Sequence, residues 1–156
     1  MTGQEPPRRP RREAGTPDCE VLLTLWAVPC TGGGVQVPAR LRYYRTDPCA
    51  VYLDHPTGQD GPETRVFARD VLATGLAEPV GTGDVSVRPG GGHTPDTVFI
   101  SLSARGGTIV LRAPKLLVQA FLEASWTVVP AGREFEHHDL DAVVDRLRSP
   151  GAPPAP

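Results

Sequence analysis

The segment Val35-Gln36-Val37-Pro38-Ala39-Arg40-Leu41-Arg42-Tyr43 places an apolar residue at every second position and a polar residue or proline between them. That period of two is the spacing of a strand with one buried and one open face, and it forbids a helix over the same residues. The chain must therefore build a sheet and cover one side of it. Pro38 falls among the outward positions and lacks an amide donor, so the strand is expected at a sheet edge or bulged there.

The neighbouring segments extend this reading. Cys19 to Val28 (CEVLLTLWAV) is an apolar and β-branched strand ended by Pro29 and Thr31-Gly32-Gly33-Gly34. Asp47-Pro48 starts a turn in which the Asp side chain can accept from nearby amides, and Ala50 to His55 follows as a third strand. Residues 55–62 form a loop, and Glu63 to Phe67 a short fourth strand. Over Ala68 to Thr74 the period changes: Phe67, Val71 and Leu72 share a helical face, and Gly75 stands where a left-handed helix stop is wanted.

A second set repeats the order. Val80 to Arg88 carries Val85 and Val87 inward behind the turn Gly81-Thr82-Gly83-Asp84, Val98, Ile100 and Leu102 alternate with Phe99, Ser101 and Ser103, and Arg105-Gly106-Gly107 turns the chain into Thr108 to Arg112. Pro114 opens LLVQAFLEAS as a helix with Leu117, Phe121 and Ala124 on one face. Leu140, Val143, Val144 and Leu147 then mark a C-terminal helix behind Asp139 as N-cap. The predicted order is four strands, helix, three strands, helix, helix. Turns too short for crossovers dictate antiparallel pairing, so the fold class is α+β, with two strand-then-helix halves.

Composition sets the boundaries. Of 17 Gly and 18 Pro in 156 residues, 11 lie in residues 1–17 and 149–156, segments too polar and Pro-rich to offset their ordering entropy. These read as disordered tails around one domain at 18–148. Arg8, Arg9, Arg11 and Arg12 against Glu5 and Glu13 give the first 17 residues +2, which leaves −4 for the rest of a chain of net charge −2. Pro7-Arg8-Arg9-Pro10 has the spacing of a polyproline ligand, although a solvated tail accounts for it more simply. No apolar run is long enough to cross a bilayer, no secretory signal opens the chain, and a cytoplasmic protein is expected. Cys19, Cys30 and Cys49 have no C-x-x-C spacing and read as reduced, structural thiols.

No motif specifies chemistry. Gly81-Thr82-Gly83 and Gly90-Gly91-Gly92 are followed by strand or turn signals instead of a helix N-terminus, and Lys115, the one lysine, lies far from both, so they read as turns and not phosphate loops. His137-His138-Asp139 with Asp141 carries ligand-type atoms but no recognised metal spacing, and Asp139 serves better as a cap. Ser101, Ser103 and Ser125 lack a glycine-flanked elbow, and Glu63, Asp70, Asp84 and Glu136 form no assignable acid–base pair. No catalytic, cofactor-binding or metal residue is assigned, and no cofactor or small-molecule substrate is expected. Arg40, Arg42 and Arg45 with Tyr43 and Tyr44 resemble a basic-aromatic strip for single-stranded nucleic acid, yet Tyr43 sits on the apolar face, and outward arginines also block edge-to-edge association.

The segments VPARLRYY at 37–44, DPCAVYL at 47–53, VFARDVLATGL at 66–76, GTGDVSVRP at 81–89 and VPAGREFEHHDLDAVVDRL at 129–147 resemble the SsgA-like family of actinomycete sporulation and cell-division proteins, over about residues 19–148 in unbroken order. The resemblance implies a small Whirly-like α+β domain, an open barrel or sheet with packed helices, assembled as a homotrimer. It also implies a non-enzymatic protein at the septum during sporulation, positioning or promoting assembly of the tubulin-like protein FtsZ, directly or with other family members, or acting in spore-wall maturation. A single-stranded nucleic-acid-binding module of the same fold is the alternative. The matching motifs are mostly turn and core residues, so no functional residue carries over. Since FtsZ-type partners are acidic, the expected contact residues are the arginines Arg40, Arg42, Arg69 and Arg88, read as outward. Deleting residues 1–17 should leave the thermal midpoint within about two degrees, because the segment has no apolar area to bury; a large drop would show that it docks on the domain.

Overall fold

The computed structural model describes residues 15–28, 34–56, 61–104 and 106–137. The expected C-terminal helix at 140–147, its cap Asp139, and most of both tails lie outside these residues. Within them the first half is β1 (Cys19–Val28), β2 (Val35–Tyr43), β3 (Ala50–Pro56), β4 (Pro62–Ala68) and α1 (Arg69–Thr74). The second is β5 (Val80–Thr82), β6 (Val85–Pro89), β7 (Thr97–Ala104), β8 (Gly107–Pro114) and α2 (Lys115–Val128), followed by a 3₁₀ turn, Glu134–His137. The strand expected behind the turn at Gly81–Asp84 is β6, and the short strand β5 that precedes it brings each half to four strands and a helix.

All eight strands form one antiparallel sheet in the order β4-β3-β2-β1-β8-β7-β6-β5. Among the described residues the sheet pairing of the two halves is that of Trp26, Ala27 and Val28 of β1 with Arg112, Leu111 and Val110 of β8. β2 and β3 are likewise paired only over Arg40–Arg42 against Tyr52–Asp54. Short seams of this kind let the sheet curl, and Arg65 of β4 reaches across to donate to the Ser103 carbonyl of β7 at 3.1 Å. Pro38 is therefore not on an edge strand, since β2 lies between β1 and β3. It pairs with Thr24 of β1, in the part of β2 beyond the last β3 partner, where a missing donor on that side breaks no ladder.

The inner face carries the alternation seen in the sequence. Leu23 and Leu25, Leu41 and Tyr43, Val51 and Leu53, Val85 and Val87, Ile100 and Leu102, and Leu111 are all buried. Each helix packs partly on the opposite half: α1 against β5 and β6, α2 against β1. The face of α2 that enters the core is Val118, Phe121, Leu122 and Ser125, rotated from the expected Leu117–Phe121–Ala124 stripe, and Leu117 is left exposed. Pro114 is the N-cap in an extended conformation instead of the first helical residue. Burying Val118, Phe121 and Leu122 contributes about 2 kcal/mol apiece, far more than the propensities of so short a helix.

Gly75 corrects a second expectation. Its φ is −64°, an ordinary right-handed conformation, so it is no left-handed stop. A Cβ built there would instead overlap Cγ1 and Cβ of Val87 on β6, and glycine is required because α1 and β6 approach too closely for any side chain. Gly83 is the opposite case, with φ +61° and open space around its Cβ direction. Gly75→Val should cost about 3 kcal/mol or more and Gly83→Ala about 1 kcal/mol, read from urea midpoints. The reverse order would refute the packing account of Gly75.

Candidate interaction surface

The outward residues of β1 to β4 form two cross-strand rows. One runs Glu20–Arg42–Tyr52–Val66, the next Leu22–Arg40–Asp54–Thr64. Asp54 is their centre. Its carboxylate accepts from Arg42 Nη2 at 2.7 Å, Arg40 Nε at 3.1 Å and Thr64 Oγ1 at 2.6 Å, and Arg42 Nε lies 2.7 Å away as an ion-pair contact without hydrogen-bond geometry. Arg42 also donates to the Tyr44 hydroxyl and lies 5.6 and 5.5 Å from the ring centroids of Tyr44 and Tyr52. The two rings meet edge to face at 5.1 Å. Burial would raise the Asp54 carboxyl, but the hydrogen bonds and charges of Arg42, Thr64 and Arg40 outweigh it and hold the group below its ordinary value. Burial likewise disfavours charged Arg42, and its bonds to Asp54 and Tyr44 overcome this and raise its pKa.

This network decides what the surface can do. The Arg42 side chain is only 12% exposed and its charge is matched by Asp54, whereas Arg40, at 45%, shares Asp54 and Glu20. The Asp47 side chain accepts from the Tyr52 hydroxyl at 2.6 Å, and burial together with this bond pushes the phenol up to about 12. The amide of Arg45 is taken by Asp18 at 2.7 Å. Beside the rows lies a shallow apolar depression of about 300 Å³, walled by Leu22, Pro38, Pro56 and Pro62 with Arg40 and Asp54 on its rim.

Arg69, expected to face outward, is buried at 1% exposure. It opens α1 with its guanidinium in the core, where Nη1 donates to the carbonyls of Ser125 (3.1 Å) and Val129 (2.8 Å) at the end of α2. Nη2 donates to Glu134 Oε1 at 2.6 Å in the 3₁₀ turn. The Tyr43 ring lies 4.9 Å from its Cζ. A cation there complements the negative end of the α2 dipole and satisfies carbonyls the helix leaves open. No surface role remains for this residue.

Arg88 is exposed on β6, in the other half of the sheet. Its cross-strand partner is Phe99, which pairs with Arg112, which pairs with Trp26. The guanidinium of Arg88 lies 4.2 Å from the Phe99 ring centroid and that of Arg112 5.6 Å from Trp26. This arginine–aromatic row spans β6, β7, β8 and β1, and among the described residues neither arginine has a carboxylate partner. The four expected contact arginines are thus dispersed: Arg40 and Arg42 adjacent, Arg88 on the other half, Arg69 inside. Arg112 and Trp26 were absent from that set, and only the register between strands distant in sequence reveals them.

Among the described residues no three His, Cys, Asp or Glu side chains converge as a metal site, and no helix is long and apolar enough to cross a membrane. His138, Asp139 and Asp141 lie outside them. An eight-stranded curled antiparallel sheet with helices on its inner face and arginines on its outer face defines a small α+β domain built around a surface. The family described as Streptomyces sporulation and cell division protein, SsgA, matches residues 37–134. Sporulation-specific cell division protein SsgB of Streptomyces coelicolor is 43% identical over 132 residues, covering 85% of this chain and 95% of that protein. The SsgB of Salinispora tropica is 40% identical, with 85% and 92% covered. Among solved structures, an SsgA-like sporulation-specific cell division protein from Thermobifida fusca superposes with a TM-score of 0.73 at 29% identity, covering 83% of this chain and 94% of that one. A structure described under SsgB mutations and longitudinal cell division in S. coelicolor gives 0.70 at 41%, covering 76% and 93%. The chain belongs to the SsgA-like family.

The Arg69 cluster carries a pH signature. Burial would raise the Glu134 carboxyl; the hydrogen bond and charge of Arg69, with backbone donors, bring it below its ordinary value of 4.5. A carboxyl depressed on folding stabilises the protein above its unfolded pKa and loses that contribution as pH falls through the folded one. The thermal midpoint of the wild type should therefore drop below about pH 4.5, and the component due to this pair should vanish in Glu134→Gln. Arg69→Met should cost about 3 kcal/mol or more at neutral pH, since the carboxylate and two helix carbonyls lose their donor. A wild-type midpoint in that variant would show the cluster to be dispensable.

Proposed function

We propose that this chain acts in sporulation-specific cell division as a binding protein without catalytic activity, helping to position or promote FtsZ-dependent septation at the septum of sporulating cells. The observation that carries the reading is the match to SsgB of S. coelicolor over 95% of that protein's length, so that the likeness spans a whole relative and not a shared fragment. The surface chemistry supports it. Hydroxyls, arginines and aromatic rings dominate the outer sheet face, a composition suited to recognition. With Arg69 in the core, Arg42 matched by Asp54 and Arg40 shared between Asp54 and Glu20, the member of the expected set without a carboxylate among the described residues is Arg88. We place the partner contact on this outer face.

A closed homotrimer is the working form in this reading. Exposed Leu116, Leu117 and Phe135 on the helical side supply apolar area that association would cover, and three copies of each patch would bind a polymer with avidity. Light scattering at micromolar concentration should report a trimer, and a strict monomer would overturn the assembly. A fluorescent fusion in a sporulating actinomycete should collect at septa, and loss of the gene should impair septation or spore maturation while vegetative growth continues. A fusion that stays diffuse throughout sporulation would overturn the assignment.

A further inference from the structure

We propose that the row Arg88–Phe99–Arg112–Trp26 is a docking site for an acidic peptide segment of a partner protein. The inference rests on the functional reading only in placing partner contact on the outer sheet face. The two halves of that face differ. Around Asp54 the arginines are matched by carboxylates and tyrosine hydroxyls, and a ligand anion would have to displace them. Arg88 and Arg112 lie over aromatic rings and have no carboxylate among the described residues, so their charges are open to an anion. The next row is Ser86–Ser101–Val110, small side chains that give a flat approach and two hydroxyls.

Spacing specifies the ligand. Each arginine leans onto its ring one strand away, which keeps the guanidiniums two strands apart, or about 10 Å at roughly 4.8 Å per strand. In a polyproline II peptide, with three residues per turn and a rise of about 3.1 Å, carboxylates three residues apart point the same way and are separated by about 9 Å. Apolar side chains between them would meet the edges of Phe99 and Trp26. Single-stranded nucleic acid fits less well. Stacking needs a bare ring, and both rings here are half-buried and already overlain by a guanidinium. Two cations also make too short a track for a run of phosphates.

The test is fluorescence anisotropy on the full chain with a labelled Pro-rich peptide of polyproline II conformation carrying glutamates three residues apart, against its glutamine counterpart and an oligothymidine of similar length. The glutamate peptide should bind in a salt-sensitive manner and the glutamine peptide should not. Arg88→Gln/Arg112→Gln should weaken binding about tenfold or more. Arg45→Gln/Arg133→Gln, an equal loss of charge at exposed positions off the row, should leave affinity within about twofold. Circular dichroism checks that both variants fold; should the row variant be unstable, Ser101→Glu, which places a carboxylate beside the row, must reproduce the loss. Equal weakening by both double variants would reduce the site to bulk charge, tighter oligothymidine binding would convert it to a nucleic-acid surface, and retained binding in the row variant would exclude it. The two readings separate in cells. A row variant that loses the peptide yet collects at septa overturns the docking site alone, whereas a diffuse wild-type protein that still binds the peptide overturns the septation reading alone.

Discussion

A single guanidinium ties together elements that the sheet alone would leave separate. Arg69 begins α1, its amide donates to the Cys49 carbonyl, and its side chain ends α2, holds Glu134 of the 3₁₀ turn and lies over Tyr43. Tyr43 in turn donates to the Pro48 carbonyl at 2.8 Å, fixing the turn between β2 and β3, and its burial pushes the phenol up to about 12. Taking a cation out of water is costly unless its donors are satisfied, and here both Nη groups donate, to two carbonyls and a carboxylate, beside a ring face, while Nε alone lacks a hydrogen-bond partner. The two halves share one seam on the sheet side, over Trp26–Val28, and Arg69 supplies a second connection on the helical side. The Gly75–Val87 approach adds a third, possible only without a side chain on α1 at that point.

The inner face is alike in the two halves and the outer face is not. Leucine, valine and isoleucine fill the core side of both. Outside, the first half turns its arginines toward Asp54 and the second turns them onto rings. A matched ion pair closes the surface to other anions, while an arginine over Phe or Trp keeps its charge available. Net charge says nothing of this distinction. The chain is −2 overall and still presents an uncompensated pair of cations on one part of one face.

Periodicity made the strands legible. The bounds of β1 and β2 follow from alternation and Gly/Pro punctuation alone, and the inward residues of β7 follow from the same rule. What depends on contact between distant segments was not legible. An arginine heading a short helix looks like a surface residue unless the carbonyls of Ser125 and Val129, more than fifty positions away, are known to need a donor. Gly75 was recognised as necessary with the wrong cause, because a helix-ending glycine and a glycine under a crossing strand look identical in sequence. The α2 face was rotated because Leu117 and Ala124 satisfy a helical period as well as Val118 and Ser125 do, and the sheet chooses between them. Outward parity gave Phe99, and nothing short of register puts Arg112 between it and Trp26.

The position of that row joins recognition to the fold. Arg112 and Trp26 are partners across β8 and β1, the short seam where the two halves of the sheet meet, so their stacking is itself one of the contacts that hold the seam. Any ligand that binds the row in the folded protein and not in the unfolded chain must stabilise the folded state, seam included, to a degree set by its concentration relative to Kd. A loosened seam, conversely, separates Trp26 from Arg112 and weakens the site without altering a residue that the ligand touches. The inner core would sense neither change directly, because Leu25 and Leu111 lie on the opposite side of the same strands. The narrowness of the join, which allows the sheet to curl, is therefore also what makes the outer surface responsive to occupancy.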